Sequence, residues 1–361
     1  METRKRFLAA WLAIGATGPA FGQSSLTLYG IADIGPTYVS NVGGSGQFKM
    51  QSGVAQQSRF GFRGREDIGN NLSVIFALEN AFDLSTGKIA NDGALFSRQA
   101  WVGVRSAAGT LTAGRQTTVT GDTLGRFTGS ALLTTSYLTT HPGDYDLVFT
   151  IPAENSLKYA SPEFAGFSAE AQYAFGGVPG SMVVNSQWNF GANYSIGSFS
   201  MAAAYYHVNG PHIGILSYVG GDSNPFGETG PSDRLNTFGI GVSYTFAKTF
   251  VHALVTQASM EQGNSTARTY EIGARQQFSP TTFLGLDYNF TTVFNRANLS
   301  VAGAMLDYKL SKRTDVYLVS AYEWVNGMAA NGNRLVAQLN DIDASGSPKQ
   351  FVTRVGLRHL F

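Results

Sequence analysis

The sequence predicts an all-β protein, a 16-stranded antiparallel transmembrane β-barrel with short turns at one end and longer loops at the other. Three observations carry that expectation. Segments of about 9–12 residues alternate strictly between apolar and polar or small side chains, and that is the length needed to cross a bilayer at a tilt. Charged residues are only 14%, and glycine is 43 of 361 residues, against roughly 25% and ~7% in ordinary soluble domains. No apolar run after residue 22 approaches the ~20 residues of a spanning helix. A chain that shows lipid one face of each strand and water the other has a bland average hydropathy, as this one does.

From the N-terminus, Arg4, Lys5 and Arg6 precede an apolar stretch from Phe7 to Ile14 that closes on Ala20-Phe21-Gly22. Charge, short apolar core and small residues in that order describe a secretory signal over residues 1–22, removed after Gly22. Residues 23–361 are then expected to form a single barrel. Acidic and basic residues nearly balance, which argues against nucleic acid as a partner. The absence of cysteine excludes disulfides and thiolate metal sites.

The strands follow in order. Leu72–Phe82 sets Leu72, Val74, Phe76, Leu78 and Phe82 against Ser73, Ala77 and Glu79. Phe167–Phe175 opposes Phe167, Ala169, Ala171, Tyr173 and Phe175 to Ser168, Glu170 and Gln172. Thr237–Phe246 opposes Phe238, Ile240, Val242, Tyr244 and Phe246 to Thr237, Gly239, Gly241, Ser243 and Thr245. Tyr270–Phe278 and Phe283–Phe294 repeat the pattern. Period 2 places successive side chains on opposite faces. Lipid offers no hydrogen bonds, so such strands must close on themselves.

Short connections fall near Glu66–Asn70, Ala107–Gly109, Ser161–Ala165, Ile196–Ser198, Ala247–Lys248, Ser279–Thr281 and Ser311–Arg313. Longer or polar ones fall near Asn41–Gln57, Asp83–Gly93, Thr118–Ala153, Gly176–Ser186, Gly210–Asp233, Gln262–Thr266, Asn295–Arg296 and Gly327–Pro348. Fifteen connections join sixteen strands. The final segment keeps register, with Phe351, Val355, Leu357 and Phe361 on one face and Arg354, Gly356 and Arg358 on the other.

Seven stretches spread over the chain resemble the trimeric general porins of β-proteobacteria. They are SLTLYGIAD from Ser25, SRFGFRGREDIGN from Ser58, LSVIFALENAFDL from Leu72, LFSRQAWVGV from Leu95, TLTAGRQ from Thr110, NSLKYASP from Asn155 and VGLRHLF from Val355. The resemblance implies a homotrimer in the Gram-negative outer membrane, in contact with outer-membrane lipid and lipopolysaccharide. It implies a third external loop folded into the lumen and passive diffusion of small hydrophilic solutes. It also implies that the terminal aromatic, Phe361, is the signal read by the barrel-assembly machinery.

Residues 118–153 are expected to be the pore-constricting loop, bearing Asp122, Asp144 and Asp146 against Arg126 and His141. The wall is expected to present the opposite sign. Arg59 and Arg63 alternate with Phe60 and Phe62 and so point inward. Arg98 matches the family's wall arginine, and Arg115 stands where the wall strand hands over to the loop. Opposed charges across a constriction sort permeants by charge and dipole. Asp33 and Glu79 are read as lumen acids: Asp33 solvated, Glu79 either bracing the loop base or partnering one of the arginines. Ile31 stands where such porins often carry a basic residue, and Ile151-Pro152-Ala153-Glu154 stands where they often carry another arginine. Weak or mixed charge selectivity is therefore expected. If Arg98 points inward, Gln99, Trp101, Gly103 and Arg105 point outward, a face too polar for lipid and suited to a subunit interface.

An outer-membrane enzyme would need a nucleophile, base and orienting group together. His141, His207, His212, His252 and His359 show no such arrangement with Ser and Asp, and no zinc-ligand spacing. No catalytic residue, cofactor or metal is expected. A substrate-selective porin would need an aromatic track through the pore. An adhesin would have a plugged lumen.

Overall fold

The computed structural model describes residues 24–90, 93–138, 141, 152–210, 233–261, 265–294, 296–329 and 331–361. The expected secretory segment 1–22, Asp144 and Asp146 lie outside the described residues. The strands are β1 Ser25–Val42, β2 Ser45–Ser52, β3 Arg59–Gly69, β4 Leu72–Ala81, β5 Gln99–Ser106, β6 Gly109–Gln116, β7 Ala153–Ala160, β8 Phe167–Ala174 and β9 Gln187–Ile196. They continue with β10 Phe199–Asn209, β11 Arg234–Phe246, β12 Thr249–Met260, β13 Ser265–Gln277, β14 Thr282–Val293, β15 Ala297–Lys309, β16 Thr314–Gly327 and β17 Lys349–Leu360.

Each strand from β3 onward pairs antiparallel with the next, and β1 closes the sheet against β17, from Ile31↔Leu360 to Val39↔Val352. On its other edge β1 pairs with both β2 and β3, through Thr37↔Lys49 and Tyr29↔Gly61. β2 and β3 are therefore two halves of one stave, interrupted between Gly53 and Ser58. Seventeen segments make a closed barrel of sixteen staves, as strands in lipid require for their backbone hydrogen bonds.

That pairing corrects the expected long connection over Asn41–Gln57. The chain reverses at Gly43 and Gly44, both at positive φ (57° and 104°), and residues 45–52 return as wall. The alternation there was legible but short: Phe48 and Met50 are exposed, while Gln47, Lys49 and Gln51 are half-buried.

Elsewhere the alternation reads as expected. Phe238, Ile240, Val242, Tyr244 and Phe246 are exposed on the outside, while Thr237, Gly239, Gly241 and Ser243 are buried. Exposed aromatics ring both ends of the outer face, with Phe246, Phe278 and Tyr308 at the short-turn end and Phe190, Phe294 and Trp324 at the other. Such girdles sit at the two membrane interfaces. At one short turn Asn70 and Asn71 both take positive φ (52° and 59°), a left-handed geometry asparagine tolerates and tight hairpins favour.

The third long connection folds inward. Its described part holds two short helices, α1 Val119–Leu124 and α2 Gly129–Leu132. Thr118 caps the first by accepting from Gly121 N, and Thr128 caps the second by accepting from Ala131 N. The wall receives this loop on a track of glycines. A side chain at Gly191 would strike Val119 and Thr123, at Gly239 Leu124, at Gly241 Phe127, at Gly285 Leu133 and at Gly303 Leu138. Beyond the track, Leu132, Leu133, Tyr137 and Leu138 are buried with Val301, Met305, Tyr317, Val319 and Val352. The last long loop turns in as well, burying Leu339 and Ile342 in the same cluster.

Candidate pore constriction

The inward loop leaves a polar cavity of about 780 Å³ between itself and the β2–β5 wall. β3 brings Arg59 and Arg63 to it, β4 brings Glu79, and the approach to β5 brings Arg98. The facing side is the loop, with Asp122, Ser130, Thr134 and Ser136. Arg59, Arg63, Arg98, Glu79 and Asp122 are thus brought together.

Glu79 is the hub of the wall cluster. It accepts from Arg98 Nε at 2.6 Å and from the Tyr29 hydroxyl at 2.9 Å, and lies 3.5 Å from Arg59 Nε. Of its two expected roles, partnering the arginines is the one the geometry shows. Arg98 also donates to the Gln57 side chain. Arg63 lies 4.2 Å over the Tyr29 ring, exposed to the lumen. Across the cavity, Asp122 accepts from Lys158 Nζ at 2.6 Å and from Thr117 Oγ1 at 2.8 Å. Asp83 stands on the second long connection. Burial raises its pKa, but hydrogen bonds from Ser85 and Thr86 outweigh that and hold the carboxyl below its ordinary range.

Other expected site residues lie elsewhere. Asp33 is not a solvated lumen acid. It is fully buried, 2.8 Å from Arg354 Nη2, and accepts from the Tyr317 hydroxyl at 2.6 Å and from Ala55 N at 2.5 Å. It anchors the break between β2 and β3 to β16 and β17. Arg115 does not line the cavity. It shares the parity of Leu111 and Ala113 on the outer face and pairs with Glu154. Arg126 is exposed on the loop, 4.8 Å over the Phe127 ring, and also stands apart from the cavity.

The outward assignment of Gln99, Trp101, Gly103 and Arg105 is reversed. β5 begins only at Gln99, so Arg98 does not set its parity. Pairing of Gln99 with Glu79 and of Trp101 with Ala77 puts these residues on the lumen side. Ala100, Val102 and Val104 face out, with Val102 53% exposed.

Several residues escaped the sequence reading. Lys49 and Asp341 line the cavity; Lys49 was hidden in a presumed loop. Lys158 stands on the NSLKYASP stretch, but its reach to Asp122 depends on where the loop lands. A second cluster holds the loop to the far wall. His252 Nδ1 donates to Phe127 O at 2.5 Å, and His252 Nε2 lies 3.0 Å from Asp287 Oδ2. His141 Nε2 lies 2.5 Å from Glu271 Oε2, and Glu271 also accepts from Gly129 N. Two histidines and two acids, unrelated by spacing in the chain, meet only through the fold.

The family model for Gram-negative porins matches residues 9–326. An outer membrane porin of Bordetella pertussis is 31% identical over 267 residues, covering 67% of this chain and 66% of that protein. Outer membrane porin protein 32 of Delftia acidovorans is 26% identical over 374 residues, covering 99% of this chain and 100% of that one. The solved anion-selective porin from Comamonas acidovorans superposes with a TM-score of 0.76 at 22% identity, covering 94% of this chain and 100% of that chain. That match shares the barrel fold, and the family model over most of the chain places it in the Gram-negative porin family, as an outer-membrane diffusion channel.

Proposed function

We propose that this porin passes small hydrophilic solutes and ions with weak or mixed charge selectivity. The observation that carries the reading is the balance of charge around the cavity. Lys49, Arg59, Arg63 and Arg98 are matched in number by Glu79, Asp83, Asp122 and Asp341 among its described lining, with Glu79 on the arginine wall and Asp122 on the loop opposite. Opposed signs create a transverse field without a net preference for either ion. None of the described lining residues is aromatic, which favours general diffusion over a track for one substrate class.

A reversal potential in a salt gradient tests this. Wild type should lie near zero. Glu79→Gln, which frees Arg59 and Arg98, should raise the anion-to-cation permeability ratio by about twofold, and Arg59→Ala with Arg98→Ala should lower it by a similar factor. Strong selectivity in wild type, or no shift in either variant, would overturn the reading.

The chain acts as a homotrimer in this proposal, and insertion in three conductance steps is the readout. β5, β6, β7 and β8 are only 8 residues each, short of the 9–11 that cross a bilayer. The outward Arg115–Glu154 pair lies on the same side. A short wall bearing charge is better covered by a neighbouring subunit than by lipid. Lipid and lipopolysaccharide would surround the longer strands.

Phe361 is the proposed assembly signal. Its backbone exchanges hydrogen bonds with Gly30 at 3.0 and 3.1 Å, and its ring covers that glycine on the barrel seam. Deleting Phe361 should lower the yield of folded barrel in the outer membrane while leaving the conductance of assembled channels unchanged. Normal yield would rule the role out.

A further inference from the structure

His252, Glu271 and Asp287 stand on β12, β13 and β14, three neighbouring strands. His252 pairs with Gly273, and Gly273 with Asp287. A side chain at Gly273 would collide with both, so the glycine lets the imidazole and the carboxylate meet over it. Glu271 is two residues along the same face. One ligand-capable atom from each of the three lies within 4.8 Å of the others, and all three residues are buried. Nitrogen and oxygen ligands around a zinc ion at ~2.0–2.2 Å sit roughly 3.3 Å apart, so small side-chain movements would close the set.

Two further features separate this cluster from an ordinary hydrogen-bonded latch. His252 Nδ1 donates to the Phe127 carbonyl at 2.5 Å. That bond orients the ring so that Nε2 faces the carboxylates, which is how metal-binding imidazoles are usually held. Asp287 Oδ1 is buried without a hydrogen-bond partner, and the Asp287 side chain is wholly shielded from water. His252 Nε2, 3.0 Å from Oδ2, leaves that second oxygen unmet. A buried carboxylate oxygen without donor or cation is costly, and a second carboxylate, Glu271, lies beside it.

We propose that His252, Glu271 and Asp287 bind one divalent transition-metal ion of the zinc type, which clamps the constriction loop to the wall. An imidazole with two carboxylates suits zinc better than calcium or magnesium, which favour all-oxygen sites. Binding displaces any proton on His252 Nε2, which leaves to solvent. His141, which reaches Glu271 Oε2 from the loop at 2.5 Å, orients that carboxylate and ties the ion to the loop. The sequence offered no zinc-ligand spacing because the three residues come from three strands.

The test uses the full-length protein refolded in detergent with zinc chloride or with chelator, then desalted. One equivalent of zinc per chain should remain bound by atomic emission. The thermal midpoint of unfolding should rise by several degrees over the chelated protein. Cobalt in place of zinc should give the intense visible absorption of a low-coordinate site. His252→Gln and Asp287→Asn should each lose the bound metal and the metal-dependent shift. The wild-type measurements stand even if a variant fails to fold. No retained zinc and no shift in wild type, or zinc retained equally by both folded variants, would overturn the proposal.

Discussion

Asp33→Ala is expected to destabilise the barrel by about 3–5 kcal/mol, the cost of stranding a buried charge. Asp33 and Arg354 are each at most 1% exposed. The aspartate also accepts from Tyr317 and from the backbone of Ala55 and Gln56. Removing it leaves the Arg354 guanidinium without its counter-charge, loosens the chain between β2 and β3, and weakens the seam where β1 meets β17. The heat-dependent shift in gel mobility of the purified barrel should move to a markedly lower temperature. Asp33→Ala combined with Arg354→Leu should recover part of the loss, because no charge is then left unpaired. An unchanged transition in the single variant would show that the pair is dispensable.

The second large effect concerns the loop. Gly241→Leu with Gly285→Leu should open the channel. Each new side chain lands on a packed loop residue, Phe127 or Leu133, and overpacking at such contacts costs about 1–3 kcal/mol apiece. The strands tolerate leucine, so the strain is expected to be relieved by the loop moving off the wall. Single-channel conductance should rise, and larger sugars should enter proteoliposomes in a swelling assay. Unchanged conductance and size limit would mean the loop is held by other contacts, with the His252 and Glu271 cluster the first to examine.

Much of the architecture was legible from side-chain alternation, because lipid on one side and water on the other impose a strict period of two. The Phe238–Phe246 segment needed nothing else. The signal failed where the period is broken or short. β2 has only 8 residues and ends at the break before β3 that Asp33 anchors, so it reads as loop. Arg115 shares the parity of Leu111 and Ala113 in its own stretch, so its outward side was already in the alternation, and the pairing of β6 with Ala100 agrees with it. At β5 the strand starts one residue after Arg98, so parity counted from Arg98 inverts the whole strand.

For the constriction, the sequence supplied the inward arginines of β3 and the acid of α1, since both follow from local pattern. It could not supply their partners. Glu79 joins Arg59 through strand pairing, and Lys158 joins Asp122 only because the loop folds over that part of the wall.

What the sequence determined by itself is the barrel, its strand number and the two faces of its long uninterrupted strands such as Thr237–Phe246, because these depend on neighbours two residues apart and on the solvent each face meets. What only the tertiary structure decided is which inward charges face one another, where the loop is fastened, and that Gly191, Gly239, Gly241, Gly285 and Gly303 form its seat. Those contacts join residues scores to hundreds of positions apart, and no local period encodes them.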